Sequence, residues 1–283
     1  MKIALTHRFA AQLLASLAAL HFSPELRAQN VDMDVPFVTT PPAVTETMLD
    51  IAGVGPQDFV LDLGSGDGRI VILAARQRGA RGMGVEIDPA LVARSRQFAR
   101  QAGVHERTEF REQDLFVTDL SPATVITMYL LPDVNLALRP KLLALKPGTR
   151  VVSHDWGMGD WLPDRERRVA APEKTLGLDK SSRVMLWTVP ASFAGRWCAT
   201  GGTGAELNLR QTFQQVDGEL VQAKESRALG GRVDGRILRL SQLAAAELRD
   251  DMMVFESAGG PGGMTHWRRT AGACAWPAAV NAR

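Results

Sequence analysis

Two hydrophobic rhythms divide this chain. From residue 45 to about 155, short apolar runs alternate with segments of helical spacing. FVLDLG (59–64), RGMGVEID (81–88), RTEFREQD (107–114), ATVITMYL (123–130) and TRVVSHD (149–155) read as strands bounded by glycine, proline or charge. Residues 45–52, 69–78, 89–102 and 134–145 read as helices. Ile70, Leu73 and Ala74 share one face of the second, and Pro89 opens the third at an early turn, where a missing N–H costs nothing. Alternation at this spacing predicts an α/β fold with a doubly wound, mostly parallel sheet. Two more strands, near 167–171 and 182–189, bring the sheet to seven and close one edge as a hairpin.

After Pro190 the period drops to two. AELNLRQTFQQV places Leu207, Leu209 and Phe213 in one phase, and RVDGRILRLSQL repeats the rhythm around an Asp-Gly turn. MMVFES and MTHWRRT follow across the glycine-rich AGGPGG, and LAAAELRD (243–250) offers the one convincing helix. Residues 190–283 are therefore expected to form a separate antiparallel β domain, a barrel or a sandwich. In a closed meander the first and last strands are neighbours. The chain's only cysteines, Cys198 in FAGRWCAT and Cys274 in GACAW, are then expected to pair as a disulfide. Neither has a CxxC partner or a nearby histidine pair, so no metal site is expected.

Residues 1–28 read as a signal peptide. Lys2 and Arg8 precede an apolar run, and Leu26-Arg27-Ala28 offers a cleavage site before Gln29. The run is too short for a stable membrane span. Export to the periplasm or beyond is the expectation, with a cytoplasmic protein carrying an uncleaved N-terminus as the alternative; residues 29–189 are then the first domain. Lys2, Arg8 and Arg27 against Glu25 account for the whole formal charge of +2, which leaves residues 29–283 neutral. A neutral protein has no global electrostatic case for binding nucleic acid.

The chemistry concentrates in VLDLGSGDGRI (60–70). The loop lies at the carboxyl end of the first strand, where open α/β sheets bind ligands. A dinucleotide fingerprint needs a third glycine where this chain has Arg69, and the P-loop Lys-Ser/Thr pair is absent. Asp62 and Asp67 would repel a pyrophosphate but suit a ligand bearing an ammonium and a sulfonium. Gly64, Gly66 and Gly68 are expected to let backbone approach that ligand, with Ser65 between the first two. Glu86, before Ile87, ends the second strand, where a carboxylate can accept both ribose hydroxyls. Asp114, followed by Leu115 and Phe116, ends the third, where it can take an adenine amino group. Three acids at successive strand ends beside a glycine loop describe S-adenosyl-L-methionine.

The motifs agree. VLDLGSGDGRIVILAA, GVEIDP and EQDLF are similar to motifs one, post-one and two of class I S-adenosylmethionine-dependent methyltransferases, whose sheet is Rossmann-like. PFVTTPPAV, YLLP, LRPKLLALKPGTRVVSHDW and GDWLPD resemble a bacterial branch related to the mitochondrial lysine methyltransferases of the ATP synthase c-subunit and adenine nucleotide translocase. More distantly, the loop is similar to that of the non-SET histone lysine methyltransferase. The resemblance covers roughly residues 35–189 and not the β domain. It implies methyl transfer to an amine such as protein lysine, and it places Thr39 and Thr40 over the methionine end of the cofactor. A small-molecule acceptor, or an exported binding module that no longer catalyses, are the competing readings.

On the acceptor side the Asn/Asp-Pro-Pro-Tyr box of DNA and glutamine amide methyltransferases is missing. Tyr129, at the end of the fourth strand, is a candidate to orient an amine or to pack in the sheet. His154 and Asp155 end the fifth strand and are candidates for a proton acceptor. Neighbours in a strand point to opposite faces, so only one of the two is expected to face the cleft.

Overall fold

The computed structural model of the chain describes residues 37–175, 179–200, 204–222, 225–256, 260–263 and 265–274. The expected signal peptide lies outside the described residues. The sheet contains β1 (Phe59–Leu63), β2 (Arg81–Glu86), β3 (Thr108–Glu112), β4 (Val125–Met128), β5 (Arg150–His154), β6 (Arg165–Ala170) and β7 (Ser181–Thr188). Their order is β3-β2-β1-β4-β5-β7-β6. The first five strands run parallel, and β7 joins β5 and β6 antiparallel. The order reverses between β1 and β4, which opens a crevice at their carboxyl ends.

The helices are α1 (Pro42–Ile51), α2 (Arg69–Arg78), α3 (Pro89–Gln101) and α4 (Pro132–Leu143). Two start earlier than the spacing suggests. Proline at the first position of α1 and α4 needs no N–H partner, so the apparent breakers Pro42 and Pro132 become initiators. Val44, Met48 and Leu49 of α1 pack with Val60, Val125, Val152 and Val184 of the sheet. Val71, Val92, Ala99 and Phe110 form a second buried cluster around α2, α3 and β3.

Beyond Val189 lie β8 (Gly195–Ala199), β9 (Ala205–Thr212), β10 (Gln215–Gln222), β11 (Glu225–Asp234), β12 (Ile237–Leu240), β13 (Ala246–Arg249), β14 (Met252–Phe255) and β15 (His266–Thr270). They form a closed antiparallel barrel in which β15 pairs with β8. Eight strands enclose a space that side chains can just fill. Trp197, Leu207, Val233, Leu238, Met253 and Trp267 fill it and are fully buried. Cys198 and Cys274 form the expected disulfide, with Cα atoms 5.6 Å apart.

Two expectations fail here. The segment 243–250 contains a strand, β13, and no helix: its alanine-rich composition favours a helix locally, but ladder bonds to both β12 and β14 outweigh that preference. Phe213 does not share the phase of Leu207 and Leu209. It lies in the β9–β10 turn at φ 52°, with its ring stacked on Trp161 at 6.0 Å.

That turn ties the barrel to the sheet. Trp161 Nε1 donates to Gln214 Oε1 at 2.8 Å, and Trp187 Nε1 donates to the Trp161 carbonyl at 2.7 Å. The Arg139 guanidinium of α4 lies over Phe213, and Arg232 of the barrel pairs with Asp164.

Candidate active site

From β1 the chain turns into α2 through Gly64, Gly66 and Gly68, at φ 71°, 54° and 78°. Only glycine adopts such angles without strain. The three positions are also packed against the protein's own side chains. A Cβ on Gly66 would stand 2.5 Å from the Phe37 ring, one on Gly68 2.6 Å from Phe110, and one on Gly64 2.9 Å from Leu130. The protein's own side chains take up that space, so turn geometry and packing already require all three glycines.

Asp62 is buried on β1 opposite Thr127 of β4, whose hydroxyl donates to it at 2.7 Å. Burial pushes its carboxyl up to about 8, the Thr127 bond opposes this, and the charges of Glu86 and Asp67 add to it. Asp67 is held by a neighbour in the loop. Arg69 binds both of its oxygens, at 2.9 and 2.7 Å, and donates to the Thr40 carbonyl at 3.0 Å. Asp67 and Arg69 thus fasten the loop to the segment before α1. Glu86 accepts from the backbone N–H of Gly66 at 2.9 Å, of Ile87 at 2.8 Å and of Asp88 at 3.1 Å. Asp114 is exposed and accepts from the Phe116 N–H at 2.7 Å, closing a turn; Leu115 between them is half-buried.

The acceptor-side candidates come together. The Tyr129 and His154 rings stack with centroids 3.7 Å apart. Buried His154 places Nε2 2.8 Å from Ser182 Oγ and Nδ1 3.4 Å from the hydroxyl of buried Thr40. The strand alternation expected to separate His154 from Asp155 stops short of Asp155, because β5 ends at His154. Asp155 has φ 61°, which breaks the alternation and brings its Oδ2 to 3.4 Å from His154 Nε2. Lys174 Nζ binds that oxygen at 2.7 Å, and the Arg183 N–H donates to the other at 2.9 Å. Burial lowers the imidazole to about 4, against the pull of the Asp155 charge, so the ring is neutral. Burial, then the charge and hydrogen bond of Asp155, push the Tyr129 phenol up to about 12, so it keeps its proton.

A family model described as the ANTKMT methyltransferase domain matches residues 62–165. The protein-lysine N-methyltransferase of Saccharolobus islandicus (strain REY15A) is 45% identical over 131 residues, which are 46% of this chain and 81% of that protein. The chain belongs to the ANTKMT methyltransferase family. The adenine nucleotide translocase lysine N-methyltransferase of Mus musculus is 37% identical over 147 residues, 51% of this chain and 63% of that one. A solved RNA methyltransferase from Salinibacter ruber, in complex with S-adenosyl-L-homocysteine, is 52% identical with a TM-score of 0.50. It covers 55% of this chain and 96% of its own. The family match stops at residue 165, before the barrel.

This methyltransferase uses S-adenosyl-L-methionine, which when bound supplies an electrophilic methyl on a sulfonium. The loop fits such a group. Asp62 is a buried carboxylate with no cation bonded to it among the described residues, and the buried Ser65 hydroxyl has no hydrogen-bond partner there either. An ammonium satisfies the first. Glu86 and Asp114 retain acceptor capacity for hydroxyl and amino donors, and the side chain of Ile87, 73% exposed at the end of β2, offers an apolar surface.

Phe37, Arg69, Lys174 and Ser182 were missed by the sequence reading. Arg69 carried a signal, a guanidinium two residues from Asp67. Lys174 and Ser182 carried none, because the β6–β7 hairpin brings them to Asp155 and His154 from a distance in sequence.

Proposed function

We propose that this methyltransferase N-methylates lysine side chains of proteins, outside the cytoplasm. The acceptor class rests on the Saccharolobus islandicus protein-lysine N-methyltransferase, matched over four-fifths of its length. The site chemistry agrees with it. Tyr129 and His154 are uncharged, and Asp155 beside them already binds one ammonium, that of Lys174. Methyl transfer needs the amine unprotonated, in line and partly desolvated. Asp155 holds the amine and accepts its proton, Tyr129 orients the carboxylate, and the neutral imidazole avoids a competing cation. On the cofactor side Thr40, Asp62, Gly64, Ser65, Gly66, Asp67, Glu86, Ile87, Asp114 and Leu115 form the binding surface, with Asp67 acting through Arg69.

Export is supported by the basic and apolar pattern of residues 1–28 and by the Cys198–Cys274 disulfide, a bond that persists in oxidising compartments. Similarity to the Salinibacter ruber RNA methyltransferase favours a second reading, RNA as acceptor. The neutrality of residues 29–283 argues against it. Labelled-methyl transfer by the full chain into periplasmic, membrane and total RNA fractions separates the two. Label on lysine of a periplasmic or membrane protein is expected; label in RNA alone would refute the proposal.

A further inference from the structure

Lys174 is a half-buried amine in the acceptor region for which methyl transfer to an outside substrate has no use. It follows β6, and its side chain is 12% exposed. Its Nζ donates to Asp155 Oδ2 at 2.7 Å and to the Ser181 carbonyl at 2.9 Å. An ammonium has three donors; the third meets no partner among the described residues. These two contacts fix the nitrogen, and once it gives up its third proton a lone pair takes the remaining direction. The cluster around it carries no second cation on Asp155, since His154 is neutral and Arg183 reaches that carboxylate through its backbone N–H.

We propose that Lys174 is itself a methyl acceptor of this enzyme, modified within its own chain. The proposal rests on the reading of Asp155 as the acceptor-side carboxylate. The Lys174 ammonium gives its proton to Asp155 and on to solvent, and the Nζ lone pair forms the new N–C bond. The S–C bond breaks, its electron pair stays on sulfur, and S-adenosyl-L-homocysteine leaves as a neutral thioether. Lys174 keeps a positive charge whether it is protonated or methylated. Each methyl removes one donor, so methylation loosens the bonds to Asp155 and Ser181 and frees Asp155 for an incoming amine.

The test needs no knowledge of the natural substrate. The full chain is incubated alone with methyl-labelled S-adenosyl-L-methionine and mapped by peptide mass spectrometry. The map is short, because the sequence holds six lysines among 27 arginines. Label is expected on the Lys174 peptide, at a rate independent of protein concentration, and it should be lost in Lys174→Arg. A second readout uses no cofactor. Acetic anhydride should modify Lys174 more slowly than Lys146, and Asp155→Asn should remove that protection. Cofactor binding by calorimetry together with an unlabelled Lys174 would overturn the proposal while leaving the methyltransferase reading intact. Label that rises with protein concentration would overturn the intramolecular step. Absence of cofactor binding would overturn both readings.

Discussion

Asp62 makes cofactor binding a proton-coupled event. In the protein alone its carboxyl is raised to about 8, so at pH 7 about nine-tenths of the molecules carry a proton there. An ammonium brought against Asp62 stabilises the ionised form and expels that proton. The ligand's amino group is that of a free amino acid and is already charged at pH 7, so it takes up almost no proton on binding. The net release is about 0.9 proton per cofactor. Calorimetric titration with S-adenosyl-L-homocysteine at pH 7, in phosphate and in Tris, reads this as the slope of observed enthalpy against buffer ionisation enthalpy. Asp62→Asn keeps the shape and the Thr127 contact but has no proton to lose, so its slope should fall to about zero. A flat line for the parent protein would refute the reasoning, and so would an unchanged slope in the variant. The same shift has a stability consequence. A carboxyl raised above its unfolded value stabilises the fold at low pH, and that contribution is lost as pH rises from about 4 to about 8, at up to about 1.4 kcal/mol per unit. The Asn variant should show a flatter profile across that window.

Glu86→Gln should weaken cofactor binding by about 1.5–3 kcal/mol, as for a lost charge-assisted hydrogen bond, and 2′-deoxy cofactor should then lose less affinity in the variant than in the parent. Equal losses would assign Glu86 wholly to its backbone partners Gly66, Ile87 and Asp88. His154, lowered to about 4, is a base whose neutral form the fold prefers. Its contribution is present above the unfolded value of about 6.5 and is lost as pH falls toward 4, so His154→Gln should flatten the acid limb of a melting-temperature profile. Reduction of Cys198–Cys274, 76 residues apart, should cost about 4 kcal/mol in urea denaturation. Alkylation of the unreduced protein should find no free thiol.

The parallel sheet was legible because each element obeyed a local rule. Its strands were short apolar runs ending in glycine or acid, and α2 was bounded as its spacing implied. Where local and distant forces disagreed, the sequence misled. Alanine at 244–246 suggested a helix, yet Ala246 and Glu247 are held in a ladder by residues on both sides. Asp155 illustrates the same limit at the site. A left-handed turn at one residue brought it beside His154, and no periodicity announces such a turn. Apart from Thr40, the cofactor side lies within one stretch of sequence from Asp62 to Leu115 and could be named in advance. The acceptor side is assembled from Tyr129, His154, Asp155, Lys174 and Ser182, which only the folded chain brings near one another.

The pairing of β15 with β8 fixes when the barrel can form during synthesis. Its opening strand has to wait, with one edge unsatisfied, until the closing strand about seventy residues later has emerged. A chain halted just before His266 would leave β8 and β14 each with an open edge, and Trp197 without the ring of Trp267 in the core beside it. Such a fragment is a template for aggregation. The final strand and Cys274 therefore act as a completeness check: only a chain translated past them can hide its edges and lock its first barrel strand to its tail.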